Sequence, residues 1–140
     1  MSIFGYARLN KQRPTPKNLG IRNQVKIIQR WTEEKGLTIR KIFRDTVSSS
    51  ASLEFPNLKK LISLIEQGEV SVLVVARLDR LTRVIRLHKK LLDLFEEKNV
   101  RFVSIMEGLD SKSKSGKKFW TQLEFWLSGM LNLFRTAHDR

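Results

Sequence analysis

The chain has no cysteine. Disulfides and thiolate metal sites are therefore excluded, which fits a reducing cytosol. Its two histidines, His88 and His138, lie far apart and show no metal-ligand spacing. No apolar run approaches the roughly 20 residues that span a bilayer. The N-terminus enters an apolar/polar pattern directly, without a cleavable signal. The expectation is a cytoplasmic protein with no metal, no cofactor and no membrane partner. Acidic residues are also scarce: 14 Asp and Glu stand against 27 Lys and Arg, a net charge of +13 over 140 residues. Such a charge repels itself unless a polyanion neutralises it, and nucleic acid is the default polyanion. An anionic membrane ranks lower, because no basic amphipathic helix offers a clean lipid-facing side.

What is present is one domain's worth of chain, 41% hydrophobic and able to bury a core. The bases are unevenly spread. Arg8, Lys11, Arg13, Lys17, Arg22, Lys26, Arg30, Lys35, Arg40, Lys41 and Arg44 face only Glu33 and Glu34 over the same stretch. Lys112, Lys114, Lys117 and Lys118 form a second cluster. Two basic regions predict a tracked phosphate backbone rather than one point contact. Lys11, Arg13, Lys17 and the four lysines of the second cluster are the expected DNA contacts.

Ile3 to Leu9 alternates with period two, as a strand does. Asn10 to Gly20 is a basic loop that Pro14 and Pro16 keep non-helical. Ile21, Val25, Ile28 and Trp31 set a helical period from Ile21 to Lys35, stopped by Gly36. Leu37 to Arg44 reads as a strand and Ser48 to Ser52 as a polar loop. Asn57 is the expected N-cap of a helix from Leu58 to Gln67. Val70 to Val75 is an aliphatic run suited to a central parallel strand. A helix from Ile85 to Lys98, a strand from Val100 to Met106 and a flexible turn from Ser111 to Lys118 follow.

The alternating order predicts an α/β domain: a mainly parallel sheet flanked by helices. Residues 1–115 form it, and 116–140 continue it as a long C-terminal helix of the same unit. In that helix the apolar residues cover more than one stripe, so it needs a second surface besides its own sheet. A second copy of the chain supplies that most simply, through Leu123, Trp126, Leu127, Met130 and Phe134. A homodimer or tetramer is the expectation.

Leu78-Asp79-Arg80-Leu81-Thr82-Arg83 directly follows the aliphatic strand. Arg80 and Arg83 are three apart and share a face on a helical turn. Their planar forks of donors suit phosphate oxygens. Ligands of open α/β sheets gather at the carboxyl ends of strands, where Arg8 also stands. A surface salt-bridge turn is the plain alternative.

Together with Tyr6-Ala7-Arg8-Leu9-Asn10 and with Leu109-Asp110-Ser111-Lys112-Ser113 ahead of Gly116, this hexamer is similar to the pattern of the serine recombinases, the resolvase/invertase family. That pattern is Tyr-x-Arg-Val-Ser, then Leu-Asp-Arg-Leu-x-Arg, then Asp-Thr-x-Thr before a long helix. The resemblance runs over nearly the whole chain. It implies that the serine closing the first motif attacks a DNA phosphate and becomes a phosphoserine, while arginines stabilise the growing charge and no metal takes part. Carried over, Arg8, Asp79, Arg80, Arg83 and Gln24 are active-site groups.

The nucleophile position, however, holds Asn10, whose amide has no hydroxyl to attack phosphorus. The arginine of the family's Ser-Gly-x4-Arg-Pro motif falls on Phe55, and its late Glu-Arg pair on Phe134-Arg135. The resemblance therefore points to a DNA-binding, self-associating domain that has lost catalysis, nucleoid-associated and able to join an active recombinase partner; Arg135 remains a DNA contact. The alternatives are an active site-specific recombinase in a nucleophile-substituted form or fragment, and a non-enzymatic polyanion or RNA-binding module.

Overall fold

The computed structural model describes residues 2–10, 20–47, 55–77 and 90–113, together with positions 118, 121, 122 and 125. Strand β1 (Ile3–Asn10) leads into helix α1 (Ile21–Glu34) and strand β2 (Ile39–Val47). Helix α2 (Pro56–Glu66), strand β3 (Val72–Val75) and helix α3 (Lys90–Glu97) follow. Strands β4 (Arg101–Ser104) and β5 (Leu109–Asp110) and a short 3-10 turn (Ser111–Ser113) complete the described order. The sheet has five strands in the order β2-β1-β3-β4-β5. β1 to β4 are parallel and β5 runs antiparallel to β4. The predicted α/β class and mainly parallel sheet are observed.

The alternation of β1 divides the core. Phe4 and Tyr6 join Phe43, Leu58, Leu61, Ile65, Leu73, Val75, Leu91, Phe95 and Phe102 on one face. Ile3 joins Ile28, Val72, Val74 and Val103 on the other, with Ile39 and Ile42 packed against them. Gly5 faces this second cluster. A Cβ there would stand 3.1 Å from Ile42 and 3.2 Å from Ile28, so the missing side chain lets α1 sit close to the sheet. The aliphatic run behaves as expected: Val72 to Val75 is buried on both faces.

Several boundaries differ from the sequence reading. Val70 and Ser71 precede β3, because the main chain at Ser71 and Val72 bonds to Ser2 before the ladder begins. β2 extends to Val47, where it still pairs with Asn10. Asn57 is not the cap of α2: the helix starts two residues earlier than expected, at Pro56, and Phe55 occupies the N-cap. The predicted strand from Val100 to Met106 stops at Ser104. The chain turns through Gly108, at φ 66, and returns as β5. Ser111 to Ser113 form a 3-10 turn, held by the Ser111 hydroxyl accepting from the Phe102 main chain at 2.8 Å.

β5 is only two residues long, and side chains help hold it. Arg101 donates to Asp110 from Nε at 3.0 Å and from Nη2 at 2.7 Å. The Trp31 ring of α1 lies 5.6 Å from the same guanidinium. Of the predicted C-terminal helix, residues 118, 121, 122 and 125 are helical and the rest lies outside the described residues. Among the described residues no helix is long and apolar enough to cross a membrane.

The Arg101 hydrogen bonds hold the Asp110 carboxyl below its ordinary range. A carboxylate lowered in the fold stabilises it above about pH 4 and loses that contribution as pH falls through the lowered value. Asp110→Asn is expected to cost about 1 kcal/mol at pH 7. In urea unfolding, the gap between it and the unsubstituted chain should narrow as pH falls below about 4 and close once the carboxyl is protonated in the folded chain as well.

Candidate functional site

The carboxyl ends of β1 and β2 are joined by one buried carboxylate. Asp45, 4% exposed, accepts from the Tyr6 hydroxyl at 2.9 Å. It also accepts from the main-chain N–H of Asn57 and of Leu58, each at 3.0 Å. The first turn of α2 is thereby satisfied. Pro56 has no N–H, Asn57 and Leu58 bond to Asp45, and Lys59 bonds to the Phe55 carbonyl at 2.9 Å. The Asn57 amide instead donates to the Arg44 carbonyl at 2.6 Å. Burial, then the charge of Asp45 and its hydrogen bond, push the Tyr6 hydroxyl well above its ordinary pKa; Arg8 opposes this more weakly. Tyr6 stays a protonated donor.

Arg8 stands beside Asp45 in the β1/β2 register and is 8% exposed. Its guanidinium lies over the Phe55 ring, 5.4 Å from the centroid. Such a contact is worth about 0.5–2 kcal/mol and fixes the plane of the group. β3 pairs with β1 only as far as Tyr6. Beyond that point the Gln24 side chain takes the place of a strand: its Oε1 accepts from the Arg8 main-chain N–H at 3.1 Å, and its Nε2 donates to the Arg8 carbonyl at 2.9 Å. Gln24 is fully buried.

Of the predicted site residues, the fold brings Arg8 and Gln24 together and puts Asn10 at the end of the same strand, paired with Val47. Asp79, Arg80 and Arg83 lie outside the described residues, as do Lys11, Arg13, Lys17, Lys114, Lys117 and Arg135. So do the expected self-association residues Leu123, Trp126, Leu127, Met130 and Phe134. Arg77, the last described residue before the hexamer, is half-buried just past β3, at the edge where Arg8 stands. Lys112 is not in that group. β5 runs back along β4, so Lys112 lies level with the amino end of β4, at the opposite rim of the sheet. Lys118 is exposed on a helical turn.

The sequence reading missed Asp45. Its signal was present: Asp45 alternates with Phe43 on the inward side of β2, and a carboxylate at an inward strand position requires buried donors. The role of Phe55 as a platform for Arg8 was also missed.

Comparisons with known proteins agree with this geometry. The family model "Resolvase, N terminal domain" matches residues 3–126. The chain is 30% identical over 118 residues to the transposon Tn917 resolvase of Enterococcus faecalis, covering 84% of this chain and 56% of that protein. It is 30% identical over 95 residues to the integrase-like protein y4lS of Sinorhizobium fredii, covering 67% and 51%. The chain thus spans about half the length of the curated relatives it matches. Among solved structures, the N-terminal catalytic domain of TP901-1 integrase superposes with a TM-score of 0.73 at 27% identity, covering 99% of each chain. A resolvase family site-specific recombinase from Streptococcus pneumoniae shares the fold, with a TM-score of 0.66 at 17% identity over 99% of this chain and 91% of that one.

Asp45→Ala strands the Tyr6 hydroxyl and two helix N–H groups together. It is expected to cost about 3 kcal/mol in urea unfolding. Tyr6→Phe removes one donor only and should cost about 1–2 kcal/mol.

Proposed function

Because the chain belongs to the resolvase N-terminal domain family, we propose that it binds duplex DNA at the carboxyl edge of its sheet, self-associates through its C-terminal helix, and does not cut the strand it holds. The observation that carries this reading is the make-up of the end of β1. Arg8 is clamped there by Gln24 and Phe55, while Asn10 stands two residues further on. The guanidinium supplies a fixed positive charge for a phosphodiester. Cleavage in this family requires a hydroxyl oxygen that forms a bond to phosphorus as the bond to the 3′ oxygen breaks and that oxygen leaves with a proton. A carboxamide cannot complete that step.

Phe55 supports the same reading. It falls where the family pattern carries an arginine, so it replaces a charge-stabilising group with an apolar ring. Arg80 and Arg83 are the further phosphate contacts, with Asp79 orienting them. Lys11, Arg13, Lys17, Lys114, Lys117, Lys118 and Arg135 extend the contact along the backbone. Lys112, at the opposite rim, would meet a different stretch of nucleic acid.

Self-association rests on the apolar C-terminal helix, and Phe125, 81% exposed on a helical turn of the single chain, supports it. The assembly would be a homodimer or tetramer, or a mixed one with an active recombinase. A DNA partner places the protein in the cytoplasm with the nucleoid.

Two measurements test the proposal. After incubation with supercoiled DNA and rapid denaturation, the unsubstituted chain should leave no protein attached to a 5′ end; attachment would establish an active recombinase with another nucleophile. Arg80→Ala and Arg83→Ala should each weaken duplex binding by about 1.5–3 kcal/mol. Unchanged affinity in both would make these arginines structural.

A further inference from the structure

Helix α1 carries its charges in an order that its own stability does not explain. Arg22, Lys26 and Arg30 are exposed and four residues apart, so they form one stripe on the side away from the sheet. Val25 and Ile28 are buried on the opposite side. Like charges at this spacing repel, each pair costing a few tenths of a kcal/mol in an isolated helix. The helix dipole is also opposed. No acidic residue lies in the first turn, where Arg22 sits, and the last turn holds Glu33 and Glu34 and no base. Among the described residues, no ion pair involves Arg22, Lys26 or Arg30.

The other helices differ. On α2 the exposed Lys59 and Lys60 are followed by Glu66, and the outer side of α3 carries Asp93 and Glu97. On α1 the three cations occupy the outer side from the first turn to Arg30, and acids follow only in the last turn, at Glu33 and Glu34. The stripe also starts in the right place. α1 begins at the carboxyl edge of the sheet, where Gln24 binds the Arg8 main chain, and runs away from it towards Trp31 and Arg101. From Arg22 to Arg30 the stripe rises about 12 Å, the axial length of three to four nucleotides of one DNA strand.

We propose that the outward stripe of α1, formed by Arg22, Lys26 and Arg30, is a second phosphate-tracking surface for duplex DNA, separate from the Arg8 edge. It rests on the DNA-binding reading given above. A negative partner along the first two turns neutralises the repelling cations and supplies the negative charge that the first turn lacks. Contacts of this kind read no bases, so the surface adds affinity without sequence preference.

The test is the salt dependence of binding to a mixed-sequence duplex. Arg22→Gln, Lys26→Gln and Arg30→Gln are combined in one variant. A control variant carries Lys59→Gln, Lys60→Gln and Lys98→Gln, with the same loss of charge at exposed positions on α2 and just after α3. If the stripe holds phosphates, the slope of log K against log salt becomes shallower by about 2.7 in the first variant, and affinity falls roughly tenfold or more near 0.1 M salt. The control keeps its slope. An equal change in both variants overturns the proposal, since net charge then accounts for it. So does an unchanged slope for duplex DNA accompanied by a loss on single-stranded RNA. If the unsubstituted chain binds the duplex and the first variant keeps the full slope, the stripe alone is wrong; if the unsubstituted chain does not bind the duplex at all, the DNA-binding reading fails with it.

Discussion

A single buried carboxylate holds together the edge of the sheet on which the site is built. Asp45 receives one donor from β1 and two from the first turn of α2, while belonging itself to β2. A buried charge is tolerated only when hydrogen bonds replace its water, and three donors do so here. The result is a fixed relation between the ends of two parallel strands and the start of a helix. Arg8 and Phe55 take their positions from that relation. Phe55 is the residue just before α2, and Arg8 is the register partner of Asp45. The cation–π contact between them is therefore set by Asp45, which touches neither ring nor guanidinium in any bond described above.

Gln24 solves a different problem at the same place. β1 is central in the sheet, yet β3 accompanies it only to Tyr6. The main chain of Arg8 would otherwise present an unpaired donor and acceptor inside the protein. A carboxamide has one acceptor and one donor group on the same planar unit, so it mimics a strand residue. A glutamate could accept from the N–H but could not donate to the carbonyl while ionised. The family resemblance singled out this glutamine without a physical reason; its main-chain bonds make it a positioning residue for Arg8.

Much of the fold could be read from periodicity. The alternation at Ile3 to Leu9, the aliphatic run at Val72 to Val75 and the helical period at Val25 and Ile28 each reflect burial by a regular element, and each element formed. The features that escaped are non-local. Asn57 is a good N-cap by local preference, but Pro56 starts the helix sooner, and Asp45, twelve residues earlier, accepts from the N–H groups of Asn57 and Leu58 in its first turn. β5 has too few residues to show a period; it forms where Gly108 permits a left-handed turn and Arg101 grips Asp110. At the site, Arg8 was legible from its motif. The roles of Asp45 and Phe55 were not, because they depend on which residues meet across strands, and the separation of Lys112 from Arg8 depends on the reversed direction of β5.

The outermost strands bear on how copies of the chain meet. β2 forms one rim of the sheet, and its exposed residues include Arg40, Lys41 and Arg44. Two copies brought rim to rim there would set these cations against one another, which discourages strand-to-strand addition. The opposite rim is β5, whose two residues offer too short a template for another strand. Among the described residues, neither outer strand of the sheet thus offers a favourable template for strand addition.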